Sequence, residues 1–164
     1  MSLQADEDFL RLALAEACLA RERGEDPFGA VIIQAGQIVA RSGSSELELG
    51  DPLAHAEVLA IREACRMLDT LTLRGCTLYS STEPCVMCSG ALKWAGLDRV
   101  VFSVPQSALQ TLSGGLTKPS CADLVNTGNR QIEVVGSLLL GEGLAILMGH
   151  LFLPKAQRYA ARRR

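Results

Sequence analysis

Cys76-Thr77-Leu78-Tyr79-Ser80-Ser81-Thr82-Glu83-Pro84-Cys85-Val86-Met87-Cys88 is the stretch on which the fold turns. Residues 76–82 read as a strand, and Pro84 marks the change to helix. Proline suits the first helical position, where its missing N–H would have no partner anyway. A helix over about 84–95 follows. Cys85 and Cys88, three apart, share one face of its first turn, where unpaired N–H groups and the positive end of the helix dipole favour thiolate sulfur.

The residues that complete this pair lie upstream. His55-Ala56-Glu57 opens a second helical pattern marked by Val58, Ile61, Cys65 and Leu68. On a regular helix His55 and Glu57 would diverge, so they are placed at its irregular start, with the longer glutamate reaching round. His55, Cys85 and Cys88 make three ligands, the number typical of a catalytic zinc with a fourth position open to water. Glu57 has a separate task, as general base toward that water and general acid toward a leaving nitrogen. The expected cofactor is one Zn2+ per chain.

Two other readings of the cysteines stand beside this one. A Cys-x-x-Cys after a strand can be a redox dithiol, but that leaves His55 and Glu57 without a use. A closed structural zinc needs a fourth ligand from Cys65, Cys76, Cys121 or His150, none of which has paired spacing. Cys18 and Cys65 fall on apolar helical stripes and read as core. His150 reads as a helix-surface or helix-end residue.

Periodicity supplies the rest of the architecture. Leu10, Ala13, Leu14, Ala17 and Cys18 mark a first helix, capped by Asp6 and stopped at Gly24. Residues 28–34 and 37–42 are strands joined by a tight hairpin at Ala35-Gly36. A fourth strand at 98–103, a crossover helix near 119–126, a fifth strand at 131–136 and a helix carrying Leu144, Leu147, Met148 and Leu151 complete the order. The expected fold is three-layer α/β/α with a mixed five-stranded sheet. The long connection between strands four and five favours parallel pairing.

The pattern His-x-Glu followed by Pro-Cys-x-x-Cys is the described signature of zinc nucleobase deaminases. Over most of residues 5–155 the chain resembles the cytidine-deaminase-like superfamily, in its branch of guanine, yeast-type cytosine and tRNA adenosine deaminases. The likeness rests on Asp26-Pro27-Phe28-Gly29-Ala30-Val31-Ile32, on Asp51-Pro52-Leu53-Ala54-His55-Ala56-Glu57-Val58, and on residues 78–91. Phe28 and Trp94 tilt it toward guanine deaminases. The resemblance implies hydrolytic deamination of a small heterocyclic base, guanine or a similar purine-type ring, with release of ammonia. tRNA adenosine deamination, cytosine deamination and a zinc-stabilised binding module without activity are the alternatives.

The same resemblance implies that the backbone N–H of Ala56 binds the substrate's carbonyl or ring edge, and that the chain is a homodimer. Trp94 then closes a neighbouring subunit's pocket or packs the dimer seam. Phe28 either stacks on a flat base or is a core aromatic. Where related enzymes carry a substrate-contacting asparagine after the second strand, this chain has Ser44. A hydroxyl cannot make the two-pronged amide contact, so a related purine, pterin or triazine ring comes into range. Tyr159 is either a lid or a surface residue.

Composition narrows the class. With 164 residues, 48% hydrophobic and 21% charged, the chain is sized for one domain over 1–164. Six cysteines without a disulfide-type framework and no leader-like opening point to a reducing cytoplasm. The apolar stretch 143–154 is too short to span a bilayer, so no membrane contact is expected. Residues 154–164 form a basic tail holding Lys155, Arg158, Arg162, Arg163 and Arg164, read as solvated. The remaining 11 basic residues face all 18 acidic ones, a net charge of −7. That body lacks the cationic footprint of a nucleic-acid binder, which leaves RNA a disfavoured partner.

Overall fold

The computed structural model describes residues 2–114 and 119–162. Their elements run α1 (Leu3–Glu22), β1 (Gly29–Gln34), β2 (Gln37–Gly43), α2 (Glu46–Leu49), α3 (Ala56–Met67), β3 (Cys76–Thr82), α4 (Val86–Ala95), β4 (Arg99–Val104), α5 (Gln106–Ser113), α6 (Cys121–Val125), β5 (Glu133–Val135), α7 (Leu140–Leu147) and α8 (Lys155–Arg162). The sheet order is β2-β1-β3-β4-β5. β1 is antiparallel to both β2 and β3, whereas β3, β4 and β5 are mutually parallel, as expected for a mixed sheet with its last two strands in parallel. The hairpin turns on Ala35 (φ 49°) and Gly36 (φ 77°), both left-handed as a two-residue type I′ loop requires.

Alternation along the strands sorts the core onto two faces. Val31, Ile33, Tyr79 and Val101 point to one side and pack on Leu10 and Ala13 of α1, with Leu138 and Leu139 before α7. Ala30, Ile32, Leu78 and Val100 point to the other and pack on Ala56, Ala60 and Ala64 of α3 and Leu92 of α4, with α6 alongside. The result is the three-layer α/β/α arrangement. Gly29 is what lets α1 lie so close to β1: a Cβ there would stand 2.2 Å from the Ala13 carbonyl oxygen and 2.4 Å from the Ala17 nitrogen.

Several sequence expectations need correction. Ser2, not Asp6, caps α1, its hydroxyl accepting from the Ala5 N–H. Asp6 is instead buried, receiving two bonds from the Arg99 guanidinium (2.7 and 2.8 Å) and one from the Tyr79 hydroxyl (2.7 Å). Cys18 is exposed, on the outer edge of the α1 stripe. α7 ends before Met148 because Met148 is extended and Gly149 is left-handed (φ 70°), which leaves Leu151 outside the helix. The short α2 and the helix α5 carry too little periodicity to be read from sequence.

The C-terminal region is also not a free end. α8 carries Arg158 into the protein, where it pairs with Asp26 and lies 3.7 Å from Glu25. His150 is not a surface residue: its Nε2 lies 2.8 Å from Asp26 Oδ1, and its ring meets Phe152 edge-on. Arg163 and Arg164 lie outside the described residues. Among the described residues no helix is long and apolar enough to cross a membrane.

Candidate metal and active site

Two helix starts and one strand end converge here. His55 is the N-cap of α3 (φ −70°, ψ 149°), so its side chain leaves before the helix begins while Glu57 sits one residue into it. That is the irregular start needed for the two side chains to face one place. Cys85, in turn, is the N-cap of α4, and Pro84 precedes the cap and is not the first helical residue. The helix begins at Val86, so Cys88 is its third residue and stays on the face of Cys85.

Nδ1 of His55 lies 3.7 Å from the Cys85 sulfur and 3.5 Å from the Cys88 sulfur. Zinc bonds of about 2.3 Å to sulfur and 2.0–2.1 Å to nitrogen, at tetrahedral angles, separate such atoms by roughly 3.6 Å. The donor set fits a zinc ion, and all three ligand atoms lie within 4.8 Å of one another. All six cysteines are free thiols, so the pair is not a disulfide. The Cys85 thiol is pulled down to about 3, chiefly by its hydrogen bond with Cys88 and then, against burial, by His55. Cys88 is pushed up by that same bond and by burial. Two such neighbours ionise together only beside a cation. Burial opposes a charge on His55, yet hydrogen bonds to Cys85 and Glu46 hold its pKa up, at about 10.

Glu57 is buried and stands beside this group. Burial, then the Cys85 charge, raise its pKa above the ordinary carboxylate range. Ser80, on β3, places its hydroxyl 3.5 Å from Glu57 Oε1. A carboxyl whose proton affinity burial raises, next to a metal-binding group, is suited to moving protons.

A cavity of about 180 Å³ opens over these residues, lined by His55, Glu57 and Cys85 together with Phe28, Glu83, Gln106 and Phe152. A cavity of about 150 Å³ holds a benzene ring, so this one is of the size for a single flat base. Phe28 therefore reaches the pocket wall, its ring stacked against Phe152 at 6.1 Å with 23° between the planes. Ala56 is buried between His55 and Glu57. Ser44 is buried too, and its N–H donates to the Phe28 carbonyl (2.9 Å), which ties it to the pocket wall. Trp94 is not in the pocket of its own chain. It is 94% exposed on α4. Tyr159 lies against Gly50 beside Glu46 and Pro52, away from this cavity.

Sequence reasoning missed three contributors. Phe152 comes from the irregular segment after α7, where no pattern marks it. Glu83 is buried just before Pro84; its carboxylate accepts from the backbone N–H groups of Gln106 (2.9 Å) and Cys121 (2.7 Å), fastening α5 and α6 to the cysteine loop. Glu46, at the start of α2, places Oε1 3.3 Å from His55 Nε2.

Residues 3–104 match the family of the cytidine and deoxycytidylate deaminase zinc-binding region. The chain is similar to a tRNA-specific adenosine deaminase of Aquifex aeolicus (strain VF5), 50% identical over 110 residues that span 67% of this chain and 70% of the relative. It is also similar to a guanine deaminase of Bacillus subtilis (strain 168), 48% identical over 98 residues, 59% of this chain and 63% of the relative. A solved structure from studies of A-to-I editing by tRNA:A34 deaminases superposes with a TM-score of 0.70 at 35% identity, covering 85% of this chain and 99% of that one.

Proposed function

We propose, from the premise that the chain belongs to the cytidine and deoxycytidylate deaminase zinc-binding family, that it hydrolyses the exocyclic amine of a free purine-type base, with guanine the first candidate. The family's activity is hydrolytic cleavage of a C–N bond, and zinc is its cofactor. One observation carries the free-base reading. The cavity beside Glu57 has room for a single ring system against the wall that Phe28 and Phe152 form, and Arg158 of α8 is turned inward to Asp26 and Glu25 instead of being offered to phosphate.

His55, Cys85 and Cys88 would hold a zinc ion, which would supply Lewis-acid activation of water. Glu57 takes a proton from the attacking water and delivers it to the ring nitrogen, then carries the remaining hydroxyl proton to the exocyclic amine, which leaves as ammonia as the carbon becomes a carbonyl. The Ala56 N–H binds the substrate's polar edge. Phe28 and Phe152 give the base an apolar wall, and Ser44 stands where the wall meets the end of β2. Glu83 keeps the cysteine loop and α5 in register.

A second reading is favoured by the 50% identity with a tRNA-specific adenosine deaminase: the same pocket would then take an adenine from a tRNA loop. Ammonia release from guanine, cytosine, adenine and related purines, run beside inosine formation in tRNA, separates the two. Ammonia from a free base with no inosine supports the first reading. Inosine in tRNA with no free-base turnover replaces it with the second.

A homodimer fits the exposed Trp94 and Leu71, which flank a groove floored by Val58, Ile61 and Ala91. The proposed location is a reducing cytoplasm, consistent with six free thiols.

A further inference from the structure

His55 uses its two ring nitrogens on opposite sides. Nδ1 faces the two cysteine sulfurs, so Nε2 faces away from them, and what it meets is a buried carboxylate, Glu46 Oε1 at 3.3 Å. With Nδ1 given to a metal, the ring's proton sits on Nε2, where Glu46 accepts it. A metal-bound imidazole that donates its other N–H to a carboxylate is held in one tautomer and one plane, and its basicity toward the ion rises.

The way Glu46 is presented argues that its position is constrained. It is the first residue of α2, whose cap residue Ser45 makes no side-chain cap bond. The next two N–H groups, of Leu47 and Glu48, are taken instead by the carboxylate of Glu25 (3.1 and 2.7 Å), itself 1% exposed. A distant buried acid thus pins the short helix, and the helix holds Glu46 against the imidazole. Burying two carboxylates this close to each other's elements is costly unless each is hydrogen-bonded.

We propose that Glu46 is a positioning residue for the metal centre, accepting the Nε2–H of His55 so that Nδ1 is presented to the ion in a fixed orientation. This rests on the metal reading of His55, Cys85 and Cys88. The experiment therefore measures Zn2+ affinity by chelator competition in the full chain for the parent, His55→Ala, Glu46→Ala and Glu46→Gln, together with the visible spectra of the cobalt-substituted proteins. Circular dichroism checks that each variant is folded.

H55A is expected to lose stoichiometric zinc. E46A is expected to bind zinc about ten- to a hundred-fold more weakly, with shifted cobalt bands, because the ring is no longer held. E46Q keeps an amide oxygen as acceptor and is expected to show a smaller loss and a spectrum nearer the parent's, a rescue that a merely structural role would not produce. Zinc affinity and cobalt spectra equal to the parent's in E46A and E46Q, while H55A loses the ion, would overturn the proposal and leave the metal site standing. Should E46A not fold, Glu46→Leu, which fills the same space without an acceptor, takes its place, and parent-like affinity and spectrum in that variant overturn the proposal. Parent-like zinc binding in H55A would overturn the metal reading itself.

Discussion

Phe28, at the entry to the first strand, and Phe152, beyond the seventh helix, stack at 6.1 Å across the mouth of the cavity that holds Glu57. The pair joins opposite ends of the chain, and what holds it is polar: Asp26, two residues before Phe28, binds His150, two residues before Phe152, and also Arg158.

Removing the second ring should therefore weaken substrate binding more than chemistry. An aromatic contact is worth about 1 kcal/mol beyond its area, so Phe152→Ala is expected to raise KM about fivefold with kcat nearly unchanged. Steady-state ammonia release on the preferred base checks this. An unchanged KM would remove Phe152 from the pocket wall.

Buried Asp6 and Tyr79, with the partly buried Arg99, set an acid limit on stability. Burial opposes ionisation of Asp6, but the bonds from Arg99 and Tyr79 outweigh it and hold its pKa below the ordinary value. The folded chain thus binds that proton less tightly than the unfolded one. The stabilisation is complete above the unfolded value of about 3.9 and is lost as pH falls through the lower folded value. Asp6→Asn should cost about 3 kcal/mol near neutrality, and its deficit should shrink toward pH 3. Urea melts of both proteins across that range test it, and parallel curves would contradict it.

Gly29→Ala should be costly for a steric reason alone. The new methyl would meet backbone atoms of Ala13 and Ala17 at 2.2 and 2.4 Å, and neither can rotate away. Overpacking of this kind costs about 3 kcal/mol, and in a chain of this size that lowers Tm by roughly 6–12 °C. A thermal melt within 2 °C or so of the parent would show that α1 is free to move off the sheet.

What could be read from the sequence was whatever local pattern carries. The period of β3, the break at Pro84 and the His-x-Glu spacing located both helix starts, and the Ala35-Gly36 pair located the hairpin, because each signal lies within a few residues of its effect. The pairings of Glu46 with His55, Asp26 with His150 and Arg158, and Glu83 with Cys121 were not legible. They join residues distant in sequence through single polar contacts, which leave no periodicity behind. Asp6 shows the same limit: an acid in a first turn looks like a cap, and only the approach of Arg99 shows that it faces inward. Ser44 was placed near the substrate by resemblance alone, with no local pattern to mark it; the structure shows it buried, its N–H on the Phe28 carbonyl.

Metal content and turnover, measured together in Glu57→Gln, decide whether Glu57 carries the proton beside a bound zinc. The side chain keeps its shape and loses its ability to carry the proton. The variant is expected to bind one zinc per chain, as the parent does, and to release ammonia about 10²–10⁴-fold more slowly. A zinc-loaded Glu57→Gln protein that deaminates at the parent's rate would contradict the account.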